Sequence, residues 1–313
     1  MTGWFLVFLL KTTAIGLIAL LALGWLQNLH PAFDSFSHFR QVFCVALAAV
    51  IVLLLFFAPW FWVTLSVASL AVSLMLSYPY LPGFNVHASK TKATASSVKI
   101  MQFNLRFNNR KIDAIAAAIL SEEADVVLMQ ELTPANFGLL DMLKDRFPYQ
   151  LECNSKVNGS VALVSQHPFA TLSQQDCMRK LGFVHAQLNV SGRELTVASF
   201  HSKWPWPDRQ FFQIGALEET ISNLSSPLIL AGDFNAAPWS AAVQRVARLS
   251  GTTVLRGALL TWKPIWKDRR DILPPLLPLD QIMASGEFIP IDRRRVKDGG
   301  SDHLPVLTEF HWK

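Results

Sequence analysis

The chain has 313 residues, of which 51% are hydrophobic and 16% are charged, and its formal net charge is +5. This composition is too apolar for an ordinary soluble protein and excludes that class for the chain as a whole. The apolar excess lies before Lys90, where the charged side chains are Lys11, Asp34 and Arg40. Residues 90–313 are mildly basic, which is compatible with a phosphate-bearing partner.

The N-terminal region contains stretches that are long and apolar enough to cross a bilayer. Residues 42–80 contain no charged side chain. Because one helical crossing needs about 20 residues, this stretch predicts two crossings with a turn at Pro59. For the stretch before it, a signal peptide is the alternative, but no small-residue cleavage site follows. We therefore predict a membrane anchor over residues 1–81, with three transmembrane helices at about 4–26, 42–58 and 60–80.

A polar segment, residues 82–97, separates this anchor from the rest of the chain. It is rich in Ser, Thr, Ala and Lys and has no apolar period, which is typical of a linker. We expect an integral, multi-pass protein of a bacterial inner or plasma membrane that carries a second domain over residues 98–313. The Lys and Arg tally leans toward a cytoplasmic domain, but large domains cross regardless of such charges, so the side stays open.

In the second domain, segments typical of strands alternate with segments typical of helices. We predict strands at 98–103, 125–129, 161–165, 183–190, 194–200, 227–231, 279–284, 288–290 and 306–310, and helices at 112–121, 134–146, 207–224 and 240–249. Such an alternation predicts an α/β layered domain with mixed sheets.

Polar side chains stand at or beside many of the predicted strand ends. In Gly232-Asp233-Phe234-Asn235, glycine permits a turn or a close approach, and the two polar residues point the same way on an extended chain. Each such residue alone could be an ordinary turn or cap residue. Ligands of α/β sheets collect outside strand ends, so together they predict one cleft. The set is Asn104, Glu131, His201, Asp233, Asn235, Asp280, Asp302 and His303.

With these residues assembled, residues 98–310 resemble the endonuclease/exonuclease/phosphatase superfamily, which has the deoxyribonuclease I-like fold. The resemblance implies an α/β four-layer sandwich of two mixed β-sheets flanked by helices. It also implies hydrolysis of phosphate esters with Mg²⁺ or Mn²⁺. The matching motifs are Phe103-Asn104, Gln130-Glu131, His201-Ser202, Gly232-Asp233-Phe234-Asn235, Thr261-Trp262, Leu279-Asp280-Gln281-Ile282 and Ser301-Asp302-His303.

The resemblance implies a division of labour between metal ligands and catalytic groups. Glu131, Asn104 and Asp302 would hold the metal, directly or through water, because hard oxygen ligands suit Mg²⁺ and Mn²⁺. The catalytic groups would be Asp233 to orient or deprotonate the attacking water, Asn235 to donate to a phosphate oxygen, His303 oriented by Asp280, and His201 as a second histidine near the phosphate.

One departure from the family pattern concerns His201. In the deoxyribonuclease I branch a glutamate supports the first of the two histidines. The corresponding stretch here, Asn158-Gly159-Ser160, has no carboxylate. The role of His201 is therefore left open.

We expect a membrane-anchored, divalent-metal-dependent phosphoesterase, first of all a nuclease that acts on nucleic acid. The N-terminal helices are expected to contact the lipid bilayer. A phosphatase or a phospholipid phosphodiesterase acting on head groups is the alternative, favoured by the membrane tether. A non-catalytic, membrane-tethered binding module is the third possibility. No protein partner can be inferred.

Two further groups of residues leave alternatives open. Cys153 and Cys177 could pair or remain free thiols. The tryptophans near the predicted active-site loops could stack on a base or on a lipid glycerol, but packing is the expectation. They are Trp204, Trp206, Trp239, Trp262 and Trp266.

Overall fold

The structure is a computed structural model that describes residues 2–81, 97–134, 136–153, 159–170, 176–264 and 273–313. The predicted linker, apart from Ser97, lies outside the described residues, as do Asn158 and Trp266.

The N-terminal region forms four helices: α1 (Thr2–Trp25), α2 (Pro31–Ser37), α3 (Arg40–Phe57) and α4 (Trp60–Leu76). The segment Gly3–Trp25 of α1 and the whole of α3 are long and apolar enough to cross a membrane. They correspond to the first two predicted spans, and Pro59 forms the predicted turn. α4 is an apolar helix of 17 residues, at the lower end of the length that a crossing needs. The three-span anchor therefore remains a prediction.

Helix α2 was not predicted from the sequence. His30 precedes it as the N-cap, its side chain accepts a hydrogen bond from Ala32 N, and Pro31 occupies the first turn. These are favourable helix-start features because the fixed φ of proline suits the first helical position. The segment is too short to show an apolar period.

The remaining elements form the second domain. They are β1 (Ser97–Asn104), α5 (Ile112–Leu120), β2 (Val126–Leu132), α6 (Gly138–Leu143), β3 (Tyr149–Cys153), β4 (Ser160–Ser165), β5 (Asp176–Met178), β6 (Phe183–Val190), β7 (Arg193–His201), α7 (Gln210–Ala216), α8 (Glu218–Ser222), β8 (Leu228–Asp233), α9 (Ala241–Leu249), β9 (Thr253–Val254), β10 (Asp280–Ala284), β11 (Phe288–Arg295) and β12 (Val306–Trp312).

The strands form two six-stranded mixed sheets. The first has the order β11-β12-β1-β2-β4-β3 and the second the order β5-β6-β7-β8-β10-β9. Side chains such as Ile100 and Val197 fill the core between the sheets. A second core lies between the first sheet and α5 and α6, and a third between the second sheet and α7, α8 and α9. The predicted four-layer α/β sandwich of two mixed sheets flanked by helices is therefore confirmed.

Two predicted helices differ from those observed. The helix predicted at 134–146 begins only at Gly138, because Asn136 Oδ1 accepts a hydrogen bond from Thr133 N at 2.7 Å and closes a turn. The helix predicted at 207–224 is divided into α7 and α8. Gln213 of α7 donates to His201 O at 2.9 Å and accepts from Lys203 N at 2.6 Å, which ties α7 to the end of β7.

A disulfide bond joins Cys153 and Cys177, whose Cα atoms lie 5.3 Å apart. Cys153 belongs to β3 and Cys177 to β5, and these are the edge strands of the two different sheets. The bond therefore links the sheets at one side of the sandwich.

Candidate active site

Strand ends from both sheets meet at one edge of the sandwich. β1 and β2 are parallel, with Asn104 opposite Gln130, and β7 and β8 are parallel, with His201 opposite Asp233. β10 runs antiparallel to β8 and begins with Asp280 opposite Asp233. The predicted cleft therefore forms where these strand ends come together.

Glycine at position 232 serves the sheet rather than a turn. Gly232 lies within β8, and a Cβ atom there would meet Phe200 O of β7 at 1.8 Å. Only glycine allows the two parallel strands to approach this closely, and that approach sets Asp233 beside His201. The sequence allowed either a turn or a close approach at Gly232. The structure shows the close approach, and the group that approaches is the neighbouring strand β7.

Two of the predicted site residues have left-handed backbone conformations, which are uncommon outside glycine. Glu131 has a φ of 61° and Asn235 a φ of 48°. Glu131 lies at a register shift between β2 and β4, and the backbone of Gly159 packs so closely on it that a Cβ atom would lie 2.7 Å from Glu131 Cα. Such bulges re-aim side chains and cluster beside functional sites. The backbone here directs Glu131 into the cleft.

Asp233 Oδ2 stands at the centre of the cleft. Asn104 Nδ2 donates to it at 2.9 Å and to Glu131 Oε1 at 3.1 Å, so the amide bridges the two carboxylates. The two imidazoles flank the same oxygen, with His201 Nε2 at 3.9 Å and His303 Nε2 at 3.7 Å. Burial raises the pKa of Asp233 to about 6, and the two histidines hold it down.

His303 is held by a second carboxylate on its other side. Its Nδ1 lies 2.8 Å from Asp280 Oδ2. Burial opposes a charge on this ring, but the Asp280 and Asp233 carboxylates prevail and raise the pKa of His303 to about 10. The imidazole is therefore a cation at neutral pH, held between two carboxylates.

Asn235 and Asp302 lie at the margin of this arrangement. Asn235 Nδ2 donates to Ser202 O at 2.8 Å, which leaves the second hydrogen of the amide for another acceptor. Ser301, the neighbour of Asp302, donates to Asn104 O at 2.7 Å, which sets Asp302 beside the end of β1. Burial raises the pKa of Asp302, and the Glu131 carboxylate raises it further. The structure thus gathers the eight residues into one region.

The carboxylates near His201 face the ring nitrogen that points into the cleft. Gly159 and Ser160 offer none, but His201 Nε2 lies 3.6 Å from Glu131 Oε1. Glu131, already predicted as a metal ligand, is thus also the neighbour of this histidine.

Sequence reasoning missed a chain of buried polar residues behind the cleft. Gln102 donates to Asp280 Oδ1 at 2.7 Å and to Gln130 Oε1 at 2.8 Å, and Gln130 donates to Ser199 Oγ at 2.9 Å. On the other side, Ser301 Oγ accepts from His303 N at 3.0 Å. The available signal was Gln102, a glutamine among the apolar residues Ile100, Met101 and Phe103. Since buried polar groups need partners, its position would have indicated a polar neighbour.

The chemistry of these side chains fits a divalent cation. The ligand atoms of Glu131, His201 and Asp233 all lie within 4.8 Å of one another, as do those of Asp233, Asp280 and His303. In the second group His303 Nδ1 already contacts Asp280, so the first group is the better candidate. The hard oxygens of Glu131 and Asp233 suit Mg²⁺ or Mn²⁺. The sequence predicted Glu131 with Asn104 and Asp302 instead, and that full set remains a prediction.

Several solved structures share this fold. The structure of the endonuclease/exonuclease/phosphatase from Bacteroides vulgatus is 15% identical, with a TM-score of 0.57, covering 69% of this chain and 99% of that one. D. rerio TDP2 complexed with single strand DNA product is 19% identical, with a TM-score of 0.54 and coverages of 69% and 99%. The human Nocturnin catalytic domain with bound sulfate anion is 19% identical, with a TM-score of 0.53 and coverages of 70% and 95%. At such identities the likeness concerns the fold.

Sequence comparison gives a curated relative and a family. A UPF0294 protein of Vibrio cholerae is 32% identical over 130 residues, which are 41% of this chain and 44% of the relative. The match thus spans less than half the length of that relative. The model of the Endonuclease/Exonuclease/phosphatase family matches residues 101–303, which contain all eight residues of the cleft. The chain belongs to the Endonuclease/Exonuclease/phosphatase family.

Proposed function

We propose that the protein is a membrane-anchored, divalent-metal-dependent phosphodiesterase whose active site is the cleft around Asp233. The observation that carries this proposal is the position of Asp233 Oδ2. This oxygen accepts a hydrogen bond from Asn104 Nδ2 and lies 3.7 Å from His303 Nε2 and 3.9 Å from His201 Nε2. A carboxylate so placed, between two imidazoles and beside Glu131, suits attack by water on a phosphate ester.

In this proposal the side chains divide the work. Asp233 orients the attacking water and accepts its proton. His303, held by Asp280, donates to a non-bridging phosphate oxygen, and His201 stands near the leaving oxygen. Asn235 offers its free amide hydrogen to the phosphate. Glu131 would hold the cation beside Asp233. Asn104 and Asp302 would complete its surroundings through water. When bound, Mg²⁺ or Mn²⁺ would neutralise charge on the phosphate and lower the pKa of a bound water.

The substrate class is proposed on two separate grounds. Nucleic acid is supported by the solved TDP2 structure, which contains a single strand DNA product. Lipid head groups are supported by the N-terminal helices, whose outward faces carry large apolar side chains such as Trp60 and Phe56. Such surfaces in a folded protein mark membrane or partner contacts.

The experiment uses the full-length chain in lipid nanodiscs, because the N-terminal helices contact the catalytic domain directly. Hydrolysis of bis(p-nitrophenyl) phosphate, single-stranded DNA, RNA, phosphoinositides and sphingomyelin is measured with Mg²⁺, with Mn²⁺ and with EDTA. We expect metal-dependent turnover that is lost in His303→Ala and kept in the control Glu194→Gln, which alters an exposed β7 residue. Turnover that survives both EDTA and His303→Ala would remove the proposal.

A further inference from the structure

The N-terminal helices are joined to the catalytic domain by a set of buried polar contacts. Asp34 of α2 accepts from Ala241 N at 2.9 Å and from Ala242 N at 3.0 Å, so it caps the first turn of α9. Trp239 Nε1 donates to Ser37 O at 2.7 Å. These bonds fix α2 against the second domain, which is therefore not a freely swinging module on a linker.

Further hydrogen bonds place the cleft next to the ends of the apolar helices. Arg40 donates to Gly24 O at 3.2 Å and to Ser77 Oγ at 3.3 Å, which brings together the end of α1, the start of α3 and the residue after α4. Ala237 N donates to His38 Nδ1 at 3.3 Å, only two residues beyond Asn235. At about 3.3–3.6 Å of chain per residue, Asn235 lies within ~7 Å of the residue that contacts His38.

Four exposed aromatic side chains continue from this junction. They are Trp204, Trp206, Phe211 and Phe212, with exposed fractions of 55%, 51%, 50% and 72%, and they are here called the aromatic face. Ser35 of α2 donates to Trp206 O at 3.0 Å, so the segment that carries Trp206 adjoins α2. The sequence-based expectation that these tryptophans pack is therefore wrong for Trp204 and Trp206. It is right for Trp239, which is buried.

We propose that the aromatic face lies in the head-group region of the same bilayer that α1 and α3 enter. Tryptophan concentrates at this depth, and exposed phenylalanines such as Phe212 are side chains that interfacial surfaces bury. A lipid surface fits better than a protein partner, because the face adjoins the ends of apolar helices and is not a separate patch. The proposal rests on the membrane anchor proposed above.

The position of His201 gives this surface a consequence for the substrate. His201 precedes Trp206 by five residues, so the two Cα atoms lie within about 18 Å. The head-group layer itself is roughly 5–8 Å thick on each side of the hydrocarbon core. The cleft thus lies at most about 18 Å from a residue placed in the head-group layer. Phosphate esters presented at that layer are therefore the substrate class that this placement favours over soluble nucleic acid.

The test measures depth and does not depend on turnover. In a Cys44→Ala background that keeps the Cys153–Cys177 disulfide, full-length protein carries one free cysteine, at Val52, Phe212 or Met142. It is labelled with a fluorophore without reductant and placed in nanodiscs that contain spin-labelled lipid. Val52 is exposed in the middle of α3, and Met142 is the matched exposed apolar residue on α6, in the opposite outer layer of the sandwich. We expect strong quenching at Phe212→Cys and Val52→Cys and none at Met142→Cys.

Each other outcome overturns the proposal in a different way. Quenching at Val52→Cys without quenching at Phe212→Cys would leave the anchor and remove the aromatic face from the bilayer, in favour of a protein or nucleic-acid partner. No quenching at Val52→Cys would remove the anchor as well. Equal quenching at Phe212→Cys and Met142→Cys would show that no single face meets the lipid. None of these results depends on whether the cleft hydrolyses a phosphate ester.

Discussion

His303 Nδ1 lies 2.8 Å from Asp280 Oδ2, and the other oxygen of Asp280 accepts a hydrogen bond from Gln102 at 2.7 Å. Both oxygens of this carboxylate thus have a partner. One contacts the imidazole, and the other accepts from Gln102, which fixes the orientation of the carboxylate. The arrangement fixes which nitrogen of His303 faces the cleft and stabilises the charged ring.

Replacing Asp280 by asparagine should therefore remove activity without removing the fold. Asp280→Asn keeps an acceptor for Gln102 but turns a donor toward His303 Nδ1, which favours the wrong tautomer and a neutral ring. We expect kcat to fall by roughly 10³-fold or more, as in other carboxylate–histidine pairs. The exposed Asp292→Asn on β11 is the control. A kcat within a few-fold of the unchanged protein, with the same melting temperature, would mean that Asp280 does not position His303.

The contact between Asp34 and α9 predicts a local effect. In Asp34→Ala the amides of Ala241 and Ala242 lose their buried acceptors, and the loss of a cap costs about 1–2 kcal/mol. Hydrogen exchange of the peptide spanning residues 236–245 should accelerate in this variant. Asp113→Ala, which removes an exposed acid from the first turn of α5, should leave that peptide unchanged. Equal exchange in both variants would contradict a rigid junction.

His38 makes the same junction sensitive to pH. Burial lowers the pKa of His38 below its usual value of 6.5, Asp34 opposes this shift, and Arg40 adds to it. The undocked state therefore binds the proton more readily, so the stability of the junction is full above pH 6.5 and is lost as the pH falls below it. Exchange of the 236–245 peptide, corrected for the intrinsic rate, should rise between pH 7.5 and 5.5.

His38→Gln keeps an acceptor for Ala237 N but cannot take up a proton, so this rise should be absent from the variant. An identical rise in His38→Gln would assign the pH dependence to other groups.

The bond between Cys153 and Cys177 predicts both a thiol count and a stability. In denatured protein, one thiol, that of Cys44, should react with an alkylating reagent before reduction, and three thiols should react after it. Cys177→Ala should lower the free energy of unfolding by about 3 kcal/mol, since the bond closes a loop between the two sheets. Three alkylations without reductant in protein isolated from its native cells would contradict the bond. They would also place the domain in a reducing compartment.

Particular residues show how far the sequence reaches. The spacing of Asp233 and Asn235 and the strand ends at Asn104 and His201 predicted one cleft, because strand ends follow from local patterns. The contacts of Gln102 with Asp280 and of Asp34 with α9 join residues 178 and 207 positions apart, and no local pattern specifies them.

The same reason explains the misplaced helix start at Pro134. The side chain of Asn136 competes with the helix for the backbone of Thr133, and that competition is decided by the packing of a buried amide. The burial of Trp239 and the exposure of Trp206 also depend on where α2 docks.

The central claim is that Glu131 and the side chains around it hold a divalent cation in one cleft. Calorimetric titration of the full-length protein with Mn²⁺ tests it most directly, with Glu131→Gln and the exposed Glu194→Gln side by side. We predict saturable binding of one cation in the unchanged protein and in Glu194→Gln, and a loss of affinity of at least about 10-fold in Glu131→Gln. No binding to the unchanged protein, or equal binding by all three, would contradict the account.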